Sequence, residues 1–255
     1  MPTTIVLEPD HRKRFWYRYS RRSGWSTSKI LIALNLILFA WMVIRGLIAG
    51  RGLGIILSPD IDLLLYVGAQ NWARVLEYGE WWRCLSYAFT HGGLLHLAFN
   101  MVALYQVGML LEKEAGHATL LCIYVCSAVT ATLAGYIWHP EAYVVGASGS
   151  LFGLIGFAVV FYRRLADPHS LAKSKFMLQW AMFAFLFGFA VQADNAGHLG
   201  GAIGGALLGV ALPPRLLLRS PSPLALRAAA WLCAIVTAAA LGMLVWFWIK
   251  LETGG

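Results

Sequence analysis

Phe176 to Leu212 reads FMLQWAMFAFLFGFAVQADNAGHLGGAIGGALLGVAL, an apolar stretch interrupted only at Asp194-Asn195. One membrane crossing takes about 20 mostly apolar residues. The stretch, at about 37 residues, is too long for one crossing and fits two, joined by a tight hairpin at Asp194-Asn195. The same reading carried outward finds five more apolar runs. The seven predicted spans cover roughly 30–50, 94–111, 118–138, 142–162, 176–193, 195–212 and 228–249. The connection 51–93 holds Ser58-Pro59-Asp60, which reads as a helix start, and the aromatics Trp72, Trp81 and Trp82. That mixture suits short helices lying partly in the membrane interface.

Composition agrees. Of 255 residues, 59% are hydrophobic and 13% charged, against about 45–50% and 25% in soluble chains. A disordered chain, a disulfide-stapled secreted module and an ordinary cytosolic enzyme are excluded. Cys84, Cys122, Cys126 and Cys233 have no metal-ligand spacing and read as buried thiols. The first 28 residues are polar and basic, with no pattern of a cleavable signal peptide.

Lys and Arg orient the chain. With the N-terminus inside, the inner segments are the tail through Lys29 and the loops near 112–117, 163–175 and 213–227, which hold fifteen of the 20 basic residues. Arg45, Arg51, Arg74, Arg83 and Lys250 fall outside. This is a positive-inside pattern. It accounts for the net charge of +8 through anionic lipid, with no need of nucleic acid.

In this topology spans two, four and six all run inward, so their first turns share one side of the membrane. Span two opens on His91 and carries His96 and Asn100, four apart on one helical face. Span four contains Gly146-Ala147-Ser148-Gly149, with Ser148 about six residues, or 9 Å, into the run. Span six opens Asp194-Asn195-Ala196-Gly197-His198. Polar groups inside lipid are costly and mark function. Span six carries the ladder Gly197, Gly201, Gly205 and Gly209, and span four carries Gly149, Gly153 and Gly156. Small residues at this spacing let membrane helices approach backbone to backbone. The same approach brings an imidazole to a serine hydroxyl, the pairing that makes serine a nucleophile. Glycine ladders serve internal packing as readily as a dimer, so oligomeric state is left open.

These residues resemble the rhomboid family of intramembrane serine proteases. Four features carry the resemblance in the family's order: Glu80-Trp81-Trp82-Arg83, His96 with Asn100, Gly146-Ala147-Ser148-Gly149, and His198 followed by Gly201 and Gly205. The resemblance implies an all-α membrane protein with a six-span core at 29–213. A basic cytoplasmic tail at 1–28 precedes the core. A linker, a seventh span and a short tail follow at 214–255, the 6+1 arrangement of a bacterial subgroup. It implies Ser148 as nucleophile and His198 as general base. Oxyanion stabilisation is implied for His96, Asn100 and the Ser148 backbone N–H. Trp82 and Arg83 are expected to seat the first loop in the outer leaflet. Phe152 is expected to pack under His198, and span five with the loop Val191 to Asn195 to gate the site. Asp194 is four residues from His198, within reach as a third member, but the family pattern is a dyad.

The implied reaction is peptide-bond hydrolysis in the membrane segment of single-span substrates, in the bilayer of a bacterial inner membrane. The N-terminus is then cytoplasmic and the C-terminus periplasmic. No metal, nucleotide or other cofactor is required. A zinc protease motif and a pair of intramembrane aspartates are both missing from the sequence. Two alternatives from other classes are a silent rhomboid-like protein that binds transmembrane helices and a small transporter. The kept Ser148, His198, His96 and Asn100 weigh against the first, and the missing inverted repeat against the second.

Overall fold

The computed structural model describes residues 26–218 and 222–253. Most of the predicted basic tail, 1–25, lies outside the described residues. Seven long helices run through the rest, and local chemistry explains where several of them start. Helix α1, Thr27–Ile48, begins at Ser26, whose hydroxyl accepts from Lys29 N. Helix α2, Leu94–Ala115, passes through a π turn at Leu104–Gly108. Helix α3 is His117–Trp138 and α4 is Ser148–Leu165. Helix α5, Pro168–Ala190, is capped by Asp167 and has proline in its first turn, where a missing N–H costs nothing. Helix α6 is Asn195–Ala211 and α7 is Leu224–Thr253.

Helices α1, α2, α3 and α7 are long and apolar enough to cross a membrane. Helix α6 has 17 residues and is built largely of glycine and alanine, while α4 ends on Arg163-Arg164. Their place in the core compensates. On α4, Leu154, Phe157, Phe161 and Tyr162 are at most 1% exposed. By contrast Phe183, Leu186 and Phe189 on α5, and Trp231 and Leu232 on α7, stand exposed, as lipid-facing side chains must. The chain is a multi-pass helical membrane protein.

The seam that positions everything else lies between α4 and α6. A Cβ on Gly201 would overlap the carbonyl oxygen of Gly149, and one on Gly205 that of Gly153. The predicted ladder therefore does bring two backbones into direct contact. Neighbouring glycines on α6 serve its other face: a Cβ on Gly204 would strike Thr130 of α3.

The connection 51–93 folds into short helices. Asp60 caps Ile61–Tyr66, as its sequence suggested, and pairs with Arg51, which holds the Asp60 carboxyl below its ordinary range. Arg83 is fully buried and points inward. Its guanidinium donates to the carbonyls of Leu65 (2.7 Å) and Ala69 (2.8 Å), and its Nε to Glu80 (2.5 Å). Desolvation lowers its pKa from the usual value, and Glu80 works against that. Trp82 is buried as well, with its ring against the Arg83 guanidinium and Phe247, while Trp81 is exposed.

One boundary differs from expectation. The fourth apolar run starts near 142, but the helix starts at Ser148. Residues before it arrive extended: Val144 and Gln70 exchange both backbone hydrogen bonds at 2.9 Å. Ser148 therefore stands at the start of its helix and not 9 Å down it.

Candidate active site

Gly146 turns the chain into α4 at φ +116°, a conformation that side chains rarely adopt. Its N–H donates to Tyr87 O at 3.0 Å, and Tyr87 in turn donates its hydroxyl to Ala128 O at 2.7 Å. A Cβ on Gly146 would also lie 2.7 Å from the His96 imidazole. The turn thus needs glycine twice over, and the second reason places His96 against the approach to Ser148.

Ser148 is the first residue of α4 and is half-buried. The residue before it, Ala147, supplies no side-chain cap. The N–H groups of the first helical turn have no intrahelical partner, and the positive end of the helix faces the same space. An anion forming beside Ser148 would meet these donors.

His198 enters from the first turn of α6 and is 6% exposed. Its Nε2 lies 3.0 Å from Ser148 Oγ. The Phe152 ring, one turn along α4, stacks under the imidazole at 4.3 Å between centroids and 15° between planes. On the other side of the ring, Nδ1 lies 3.2 Å from Asn195 Oδ1. The backbone seam of Gly149 and Gly201 fixes the separation of the two helices at this level. An imidazole in this position can take the proton of the hydroxyl.

A second group of residues lies on α2. Asn100 Nδ2 donates to His96 O at 2.9 Å, and Gly92 N donates to His96 Nδ1 at 3.4 Å. His91 packs edge-on against His96 with centroids 5.2 Å apart. The side chains of His96 and Asn100 both border Gly146.

Asp194 turns elsewhere. Its carboxylate caps α6 through Gly197 N at 2.8 Å and pairs with His139 Nε2 at 3.0 Å. It fastens the end of α3 to the start of α6. Nothing in the sequence points to His139, and Asn195 reads there as part of the hairpin break and the gating loop, with no contact to His198 expected. The only sequence signal for Asn195 is its spacing of three from His198, which acquires meaning once α6 is known to begin at Asn195.

The described residues thus form a polytopic helical membrane protein with a hydroxyl–imidazole pair at the starts of two helices joined backbone to backbone. A profile described as Rhomboid domain matches residues 78–215, which include every residue of this cluster. The chain is 32% identical over 212 residues to Rhomboid protease GluP of Bacillus subtilis (strain 168), covering 82% of this chain and 39% of that protein. It is 34% identical over 164 residues to RHOMBOID-like protein 5 of Arabidopsis thaliana, covering 62% and 52%. It is 31% identical over 179 residues to Rhomboid protease AarA of Providencia stuartii, covering 60% and 63%. The chain belongs to the rhomboid family. It spans less than two thirds of the length of these relatives.

Proposed function

We propose that the chain is an intramembrane serine endopeptidase that hydrolyses a peptide bond in or near the transmembrane segment of single-span membrane proteins. The observation that carries this reading is the 3.0 Å contact between Ser148 Oγ and His198 Nε2. Ser148 attacks the scissile carbonyl while His198 takes its proton. The tetrahedral oxyanion is met by the Ser148 backbone N–H at the uncapped start of α4 and by the side chains of His96 and Asn100. Removing one such donor costs about 3–4 kcal/mol of transition-state stabilisation. His198 then protonates the leaving amine, and water hydrolyses the acyl-enzyme with the same imidazole as base.

The reading includes seven spans, an inside N-terminus and a site open to the outer side of a bacterial inner membrane. The distribution of Lys and Arg supports this orientation. A helical substrate hides its carbonyls in hydrogen bonds, so a span with small or helix-breaking residues near its outer end is the cheapest to open. The chemistry needs no metal or other cofactor. Relatives named as proteases support hydrolysis over silent helix binding, as does an intact serine–histidine pair.

The test is cleavage of a single-span protein by purified enzyme in detergent, with Ser148→Ala and His198→Ala beside wild type. Both substitutions abolish cleavage with folding intact. A serine-directed covalent probe labels wild type at Ser148 and fails on Ser148→Ala. Cleavage that survives Ser148→Ala would sink the mechanism.

A further inference from the structure

The imidazole of His198 has two nitrogens, and only one faces Ser148. A general base must present an unprotonated nitrogen to the hydroxyl, so the proton of the neutral ring has to reside on Nδ1. What holds it there determines how much of the enzyme is ready to react. Asp194, the carboxylate one position before α6, is committed to Gly197 N and His139. The acceptor that does face Nδ1 is the side-chain oxygen of Asn195, at 3.2 Å.

Asn195 is itself held in place. Its backbone N–H donates to Ala193 O at 2.8 Å, and Ala193 N donates to Gly188 O at 2.8 Å, which ties the start of α6 to the end of α5. Gly188 has no side chain, and the Asn195 amide fills the space where one would be: a Cβ there would overlap Oδ1. The amide is thus wedged between the backbone of α5 and the ring of His198.

We infer that Asn195 is a positioning residue of the site, whose side-chain carbonyl accepts the Nδ1 proton of His198 and so keeps Nε2 free to take the proton of Ser148. The inference rests on the serine–histidine reading and adds a third, uncharged member to it. A neutral acceptor fixes the tautomer without the strong stabilisation of the imidazolium that a carboxylate brings. The other groups around His198 are His96 from α2, with His91 behind it, the Asp194–His139 pair at the ends of α6 and α3, and the Tyr87 hydroxyl. The last is committed to Ala128 O. Helix α4 contributes Ser148 and Phe152, and the backbone of Gly188 on α5 borders the Asn195 amide.

The test combines kinetics with nitrogen-15 NMR of histidine-labelled full chain in detergent. In wild type His198 carries its proton on Nδ1. In Asn195→Ala the Nδ1–H fraction falls, and kcat drops roughly tenfold or more while KM stays within about twofold. Asn195→Asp restores an acceptor: it recovers part of kcat and moves the acid limb of the pH–rate profile to higher pH, since a carboxylate stabilises the charged ring. Gly188→Ala, which touches neither Ser148 nor His198, displaces the amide and reproduces part of the Asn195→Ala loss.

Wild-type kcat and an unchanged tautomer in Asn195→Ala overturn the inference. So does a wild-type His198 protonated on Nε2, a result that needs no variant to fold. Ser148→Ala run in parallel keeps the two readings apart. If it is inactive while Asn195→Ala is not, the dyad stands and the role of Asn195 falls. If it still cleaves, the dyad reading falls, and the role of Asn195 falls with it.

Discussion

Two residues before Ser148, a backbone angle and a side-chain contact make the same demand of one position. Gly146 has φ +116°, and a Cβ on it would sit 2.7 Å from the His96 ring. Gly146→Ala therefore brings two penalties: backbone strain of about 1–3 kcal/mol, and displacement of His96 from the space beside the serine. Unfolding in detergent registers the first as a lower midpoint, and cleavage registers the second as a fall in kcat beyond the lost folded fraction. If the variant cleaves at the wild-type rate per folded molecule, His96 is not held by this contact. At this scale the sequence was informative about chemistry and poor about geometry. Ser148, His198, His96 and Asn100 stand out because polar groups are rare and costly in apolar runs. Asn195 does not stand out, because an asparagine in a hairpin needs no explanation until its neighbour three residues on is known to be the base.

Among the elements, the α4–α6 seam carries the site, and its glycines are not interchangeable with those elsewhere. A Cβ on Gly205 would overlap Gly153 O, whereas one on Gly242 of α7 would meet nothing within 4 Å. Gly205→Ala should push the helices apart, cost about 1–3 kcal/mol, and separate Ser148 from His198, so that probe labelling falls with stability. Gly242→Ala should leave both unchanged or raise stability slightly, because alanine is the better helix former. Equal behaviour of the two variants would remove the seam from the account. The spacing of four made this seam legible in the sequence, since only close helix approach uses glycine that way. The start of α4 was not legible. Residues 142–147 are apolar enough to continue a span, and what makes them extended is Gln70, more than seventy positions away, pairing with Val144. Arg83 reads in the sequence as a structural residue of the first loop, but its inward direction is not legible there: its guanidinium is spent on the carbonyls of Leu65 and Ala69.

Across the whole molecule, the parts that react and the parts that fasten are separate. Helix α7 buries only Thr237, Ala240 and Leu244 along its length; it packs along α3, and its far end fastens it to the first helix and the first loop. There Trp248 Nε1 donates to Tyr66 O at 2.5 Å, and its ring lies 5.4 Å from Trp41 and 5.8 Å from Tyr66. Glu252 pairs with Arg45 of α1 at 2.9 Å and accepts from the Tyr66 hydroxyl at 3.1 Å. Phe247 meets Trp82 at 5.6 Å. The seventh helix thus ties the first helix to the loop whose buried Arg83 and Gln70 support the approach to Ser148. None of these contacts touches Ser148 or His198, so weakening them should lower stability and leave chemistry alone. Trp248→Phe keeps the ring and loses one hydrogen bond, about 1 kcal/mol. Trp248→Ala also loses the stacking, roughly two to three times as much. In both variants kcat per folded molecule should stay within about twofold of wild type, read as cleavage normalised to the fraction labelled by the serine probe. A Trp248→Phe variant as stable as wild type would mean that the hydrogen bond to Tyr66 holds nothing. A fall in kcat with stability intact would mean that α7 reaches the site through the first loop, and the division between reacting and fastening parts would have to be abandoned.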